Sequence, residues 1–222
     1  MLKKILMAFS GMILLGFIVG HLAGNLQIFL GQEALNHYAV FLRSLGDLLW
    51  VARLGLISMA ILHLWMSVGL TVENQLSRPV GYARKDYIKA TLASRTMIWS
   101  GGVVLAFLVY HLLHFTFLKV HPQYAHLVDA KGQRDVYSMV VLSFQQPGIF
   151  LVYIVGLFLL CFHLSHAIQS LFQTMGWNDT KLHEMLSVWG GRVAWLIFAG
   201  YASIPIAVMA GIVKLPPGVP LP

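Results

Sequence analysis

Four histidines, His21, His63, His111 and His163, each lie deep in an apolar run. In VVLAFLVYHLLHFTF (103–117) and LFLLCFHLSHAIQ (157–169) the pattern His-Leu-x-His recurs, at His111 and His114 and again at His163 and His166. A titratable ring costs free energy in such a segment, so a polar group kept there is a functional candidate by default. Neutral imidazole can give one nitrogen to a metal while the other donates a hydrogen bond to a neighbour. Rings that face each other at one depth, between apolar helices, could hold a metal from both sides.

The elements that would bring the rings to a common depth can be read from composition. Of 222 residues, 58% are hydrophobic and 10% charged, and the mean hydropathy is +0.75. Several windows reach the roughly 20 apolar residues that cross a bilayer. The fold class is therefore all-α, one integral membrane bundle of five transmembrane helices, with spans at about 5–30, 48–72, 96–118, 149–172 and 193–213. The first run is too long for the ~7–15-residue apolar core of a signal peptide and is expected to remain as a helix. Segments 31–47, 73–95, 119–146 and 173–192 read as polar connections, the first with a short interfacial helix over EALNHYAVFLRSL. Pro205 is expected to kink the fifth helix, and the tail LPPGVPLP is too proline-rich for one. Gly16, Gly20 and Gly24 share a helix face, which suits close packing or a flat ring against bare backbone.

Charge sets the orientation. With the N-terminus inside, the inner side holds Lys3, Lys4, Arg78, Arg84, Lys85, Lys89, Arg95, Lys181 and Arg192. The outer side holds Arg43, Arg53, Lys119, Lys131, Arg134 and Lys214. Nine cations against six predict a cytoplasmic N-terminus and an outer C-terminus. At ~1.5 Å per residue, His21 and His111 then lie ~24 Å from the inner edge, and His63 and His163 ~15 Å from it. The predicted pairs are His21 with His111 toward the outside and His63 with His163 toward the inside. Axial ligation of haem iron needs such pairs, and iron capped on both faces carries electrons rather than activating a substrate.

Other residues carry weaker signals. His114 and His166, at i+3, turn about 60° away from the ligand direction. They could be neighbours of the ligands, of haem propionates or of a quinone, and for His114 an outer-leaflet surface position fits equally well. Arg95 and Arg192 are placed for inner propionates, Arg43 and Arg53 for outer ones; the ordinary charge bias of membrane proteins also explains each. His37, His121, His126 and His183 lie in loops, where most of them read as solvated residues, and the six tryptophans, mostly near span ends, read as an aromatic belt. The single Cys161 reads as a small buried hydrophobe and rules out an intrachain disulfide or an all-cysteine iron–sulfur site. There is no C-x-x-C-H and no nucleotide-binding glycine motif. Membrane headgroups account for the net charge of +7 without nucleic acid.

The segments VGHLAGN (His21), ILHLWMSVG (His63), VYHLLHFTF (His111) and CFHLSHAIQSLFQTMGW (His163) resemble the membrane cytochrome b subunit of succinate:quinone oxidoreductases. The likeness is to the single-chain, five-helix, two-haem type of menaquinone-using bacteria and covers about residues 5–213. It implies two haem b groups, a distal one on His21 and His111 and a proximal one on His63 and His163. It also implies a flavoprotein subunit and an iron–sulfur subunit on the cytoplasmic side of a bacterial inner membrane. Electrons would then pass between succinate or fumarate chemistry in those subunits and a quinone, the menaquinone of that type, in the membrane. Some members carry a glutamate just before the proximal ligand; here Leu159, Leu160, Cys161 and Phe162 stand there. Glu33 and Asp47 are the nearest outer acids that could serve a quinol. Two further readings stand beside this one: a di-haem cytochrome b of a hydrogenase or formate dehydrogenase, and a haem-free membrane anchor or transporter.

Overall fold

The computed structural model describes residues 2–77, 95–176 and 180–219. These form seven α-helices: α1 Leu2–Asn25, α2 Gln32–Ser44, α3 Asp47–Leu76, α4 Met97–His111, α5 Val136–Phe144, α6 Pro147–Thr174 and α7 Thr180–Met209. Five stretches are long and apolar enough to cross a membrane: Leu2–Leu30, Asp47–Leu76, Met97–Thr116, Pro147–Thr174 and Val188–Met209. Among the described residues β structure is limited to one bridge, Val128 with Arg134.

Two turns rest on glycine. Gly31 (φ 99°) and Gly46 (φ 51°) adopt backbone angles that side chains disfavour, which lets the chain reverse on either side of α2. Within the bundle α1 packs on α3, α6 and α7, while α6 packs on α4 and α7; α3 and α4 meet only briefly. None of the thirty residues of α3 is buried, and Leu54, Ile57, Ile61 and Trp65 point outward, as they would toward lipid. One core joins Cys161, Leu164 and Ile168 of α6 to Ala194 and Ile197 of α7. A second, toward the end that charge predicts to face outward (the outer end), joins Ile28, Val141, Phe144, Tyr153 and Ile204.

Two expectations need correction. The segment 119–146 is not a polar loop: it folds into a 3-10 turn, Pro122–His126, and the apolar α5, VYSMVVLSF, most of which is buried. Asp135 caps α5 by accepting from Ser138 N at 3.0 Å, and its carboxylate also accepts from Asn36 Nδ2 (3.0 Å) and Gln32 Nε2 (2.7 Å). Asn36 accepts in turn from Tyr137 N at 3.0 Å. Asn36 and Asp135 are each 1% exposed, so α2 is clamped onto α5 as part of a folded outer cap. Second, segment 173–192 is largely helix, because α7 begins at Thr180; the apolar residues at 182, 185, 186 and 189 have helical spacing. Pro205 lies inside α7, which is continuous through it.

Candidate functional site: two histidine pairs

The outer pair joins His21 of α1 to His111, the last residue of α4. Their ring centroids lie 5.9 Å apart at 85°. Two metal–nitrogen bonds of about 2 Å plus the ring radii would put them about 6 Å apart. Phe17 stacks on His21 at 5.3 Å, and Phe107 lies 6.4 Å from His111, four residues before its histidine in both cases. His111 Nδ1 is 3.3 Å from the Tyr153 hydroxyl, which is 2.9 Å from His114 Nδ1. If His111 gives its Nε2 lone pair to a metal, its proton sits on Nδ1 and is donated to Tyr153, and the Tyr153 hydrogen goes to His114.

After His111 the helix widens into a π turn, Leu112–Thr116, a feature common at functional sites. His114, within that turn, is 0% exposed, so the surface position that fitted its sequence equally well is not the one adopted. His121 is not a solvated loop residue either: it is half-buried, 5.5 Å from the His114 ring and stacked on Tyr124 at 4.8 Å. The Nε2 atoms of His114 and His121 are both buried without a partner among the described residues.

The inner pair, His63 of α3 and His163 of α6, lines one cavity of about 90 Å³, with Met7, Gly11 and Met97 among its walls. Counting its open side, the empty space is about 670 Å³. His63 Nδ1 lies 3.3 Å from both Met7 O and Ser10 Oγ, and His163 Nδ1 lies 3.1 Å from Ser100 Oγ. A Cβ on Gly11 would come within 3.2 Å of His63 Cε1, and one on Gly101 within 3.4 Å of His163 Cε1. Both rings therefore lie against bare backbone.

Ser10, Ser100 and Tyr153 are absent from the sequence-based site. For the serines a signal existed. Residues 10–21, SGMILLGFIVGH, and 100–111, SGGVVLAFLVYH, align without a gap and share Ser, Gly, Leu, Phe, Val and His. In each segment the histidine follows the serine by eleven residues, which sets the two histidine levels ~16 Å apart along the helix.

The remaining candidates are scattered. His166 has a buried Nδ1 without a partner among the described residues. Arg43 is exposed and lies near Arg134, whose guanidinium is pushed below its ordinary range by burial and then by the charge of Arg43. Arg134 Nε is buried and lacks a partner among the described residues. Arg53 lies over the Trp50 ring at 5.1 Å and Arg192 over Trp189 at 5.0 Å, cation–π contacts that engage both without a propionate. Arg95 is exposed just before α4, and Asp47 is exposed at the start of α3. Glu33 is exposed and paired with Lys131 at 2.5 Å, whose ammonium holds the carboxyl below the usual range.

Of the glycine stripe, Gly24 meets the Tyr38 ring, which an added Cβ would approach to 2.6 Å; Gly16 and Gly20 face open space. Cys161 is buried and free; His37 and His126 are exposed. Arg78, Arg84, Lys85 and Lys89 lie outside the described residues, as do the side chains of Lys181 and His183. In comparisons with known proteins, no protein-family model, no curated protein and no solved structure matches this chain.

Proposed function

We propose that this chain is the di-haem cytochrome b membrane anchor of a succinate dehydrogenase or fumarate reductase. It would pass electrons between an iron–sulfur subunit and a membrane quinone, menaquinone in the first instance. The observation that carries the reading is the meeting of four histidines from four spans at two levels, as one ring pair 5.9 Å apart and one pair on a shared cavity. The residues present fit two haems: each pair can offer two Nε2 atoms, and Gly11 and Gly101 let the inner rings lie close to backbone.

Haem ligated on both faces supplies one-electron transfer without an open site for substrate. The chain would do the rest. His21 and His111 hold the outer iron, and His63 and His163 the inner one. Tyr153 steadies His111 through Nδ1, and Ser10 and Ser100 do the same for the inner pair. Arg43 with the half-buried Arg134 offers a cationic place for outer propionates, and Arg95 one on the inner side. Flavoprotein and iron–sulfur subunits would dock on the cytoplasmic face of a bacterial inner membrane, where most of the cations fall in the sequence.

A pyridine haemochrome assay of the purified chain is expected to give two non-covalent b haems per polypeptide; one or none overturns the reading. A covalently flavinylated subunit should co-purify. Two haems without it would move the chain to another membrane oxidoreductase.

A further inference from the structure

The two serine hydroxyls each have one proton, and in both the i−3 carbonyl can take it. Ser10 Oγ donates to Met7 O at 3.0 Å, and Ser100 Oγ donates to Met97 O at 3.1 Å. A hydroxyl whose proton is committed can only accept from a third group. With the hydroxyl proton on the carbonyl, the nitrogens beside them, His63 Nδ1 at 3.3 Å and His163 Nδ1 at 3.1 Å, carry the hydrogens. For His63 the same answer comes independently from Met7 O, 3.3 Å from Nδ1, because a carbonyl only accepts. A neutral imidazole has one N–H, so hydrogen on Nδ1 leaves Nε2 with a bare lone pair.

We propose that Ser10 and Ser100 are a matched pair of positioning residues that hold His63 and His163 in the Nδ1–H tautomer, with both Nε2 atoms free for a metal across the cavity they share. The identity of that metal as haem iron rests on the function proposed above; the tautomer does not. Bonding to an i−3 carbonyl is a common habit of helical serine, but it does not bring an imidazole from another span to each hydroxyl. The repeat argues that it is one device built twice. Ser10-Gly11 and Ser100-Gly101 open the two matching segments, and each serine reaches the histidine of a later span while its glycine makes room for the same ring. Each is also nearly closed off from outside, at 0% and 6% exposure, so water does not readily replace the hydroxyl.

The test uses the full chain as purified, in nanodiscs, with its histidines labelled with 15N and any haem reduced to its diamagnetic form. The His63 and His163 resonances, assigned by their loss in His→Gln variants, should show hydrogen on Nδ1. A ring on iron keeps hydrogen on Nδ1 whatever its neighbour, so the tautomer shift is read on the haem-free fraction. There Ser100→Ala should shift the balance of His163, Ser10→Ala should shift His63 less because Met7 O still accepts from it, and Ser→Thr should keep both. In haem-loaded protein each alanine variant should weaken retention of the inner haem by roughly 10- to 100-fold, the usual cost of losing such a partner. It should also raise that haem's midpoint potential, because a ligand that loses its acceptor donates less charge to ferric iron. The outer haem should keep its spectrum and potential. Hydrogen on Nε2 in the wild type, or alanine variants that leave tautomer and inner haem unchanged, overturns the proposal. Nδ1–H rings in a chain that takes up no haem would uphold it and sink the function proposed above.

Discussion

On the proposed di-haem reading, replacing His63 or His163 by alanine is expected to remove the inner haem and leave the outer spectrum largely intact; His21→Ala or His111→Ala should do the reverse. One remaining axial ligand holds a haem far less well than two, and the truncation opens a void beside the ring. Reduced-minus-oxidised spectra and redox titration of each purified variant read the loss directly. Because both residues of a pair would act on one iron, double variants should resemble the singles. With the inner haem gone, quinone-linked turnover of the assembled complex should stop while reduction of a soluble dye by the catalytic subunits persists. If His63→Ala and His111→Ala remove the same haem, the pairing is wrong, and with it the order of electron transfer.

Asp135→Ala is expected to destabilise the outer cap by about 3 kcal/mol. The carboxylate accepts from Gln32, Asn36 and the Ser138 backbone, at a site only 1% exposed. Its removal strands donors at roughly 1–3 kcal/mol for each that stays unmet. The full sum is not expected, because the Asn36 amide also donates to Asp129 at 3.1 Å. Asp135→Asn keeps an acceptor for the α5 N-terminus and should cost about half as much. Thermal unfolding in detergent, followed with limited proteolysis of the 119–135 segment, would measure this. An alanine variant as stable as wild type would mean that the clamp between α2 and α5 does not depend on this carboxylate.

The five spans were legible because crossing a bilayer demands length and apolarity, both properties of a contiguous stretch. The histidine pairing was legible for a related reason: helical rise converts distance from a charged border into distance through the membrane. That count set the two levels only ~9 Å apart, against ~16 Å by the serine-to-histidine step, because the borders counted from on the two pairs of spans do not lie at one height. It brought His21 to His111, and His63 to the cavity of His163. The outer cap was not legible. Its polar residues suggested solvent, whereas Asn36 and Asp135 satisfy each other across 99 residues of sequence, and local pattern does not encode such a pairing. His114 was ambiguous because its partner, Tyr153, stands on another helix. The serines fall between these cases: their contacts cross spans, but the repeat of residues 10–21 at 100–111 is visible in the letters alone.

The eleven-residue step from Ser10 to His21, repeated from Ser100 to His111, has an electrical consequence. A separation of ~16 Å is about half of a ~30 Å hydrocarbon layer. A full crossing at 100 mV corresponds to about 2.3 kcal/mol per elementary charge, so one electron moving between the two levels exchanges about 1.2 kcal/mol with the membrane voltage. If the N-terminus is cytoplasmic, as the basic residues predict, and the two levels carry the proposed haems, an interior-negative voltage would drive electrons from the His63–His163 level toward the His21–His111 level and oppose their return. An energised membrane would thus favour one direction of flow through this chain, and discharging the membrane would remove that preference.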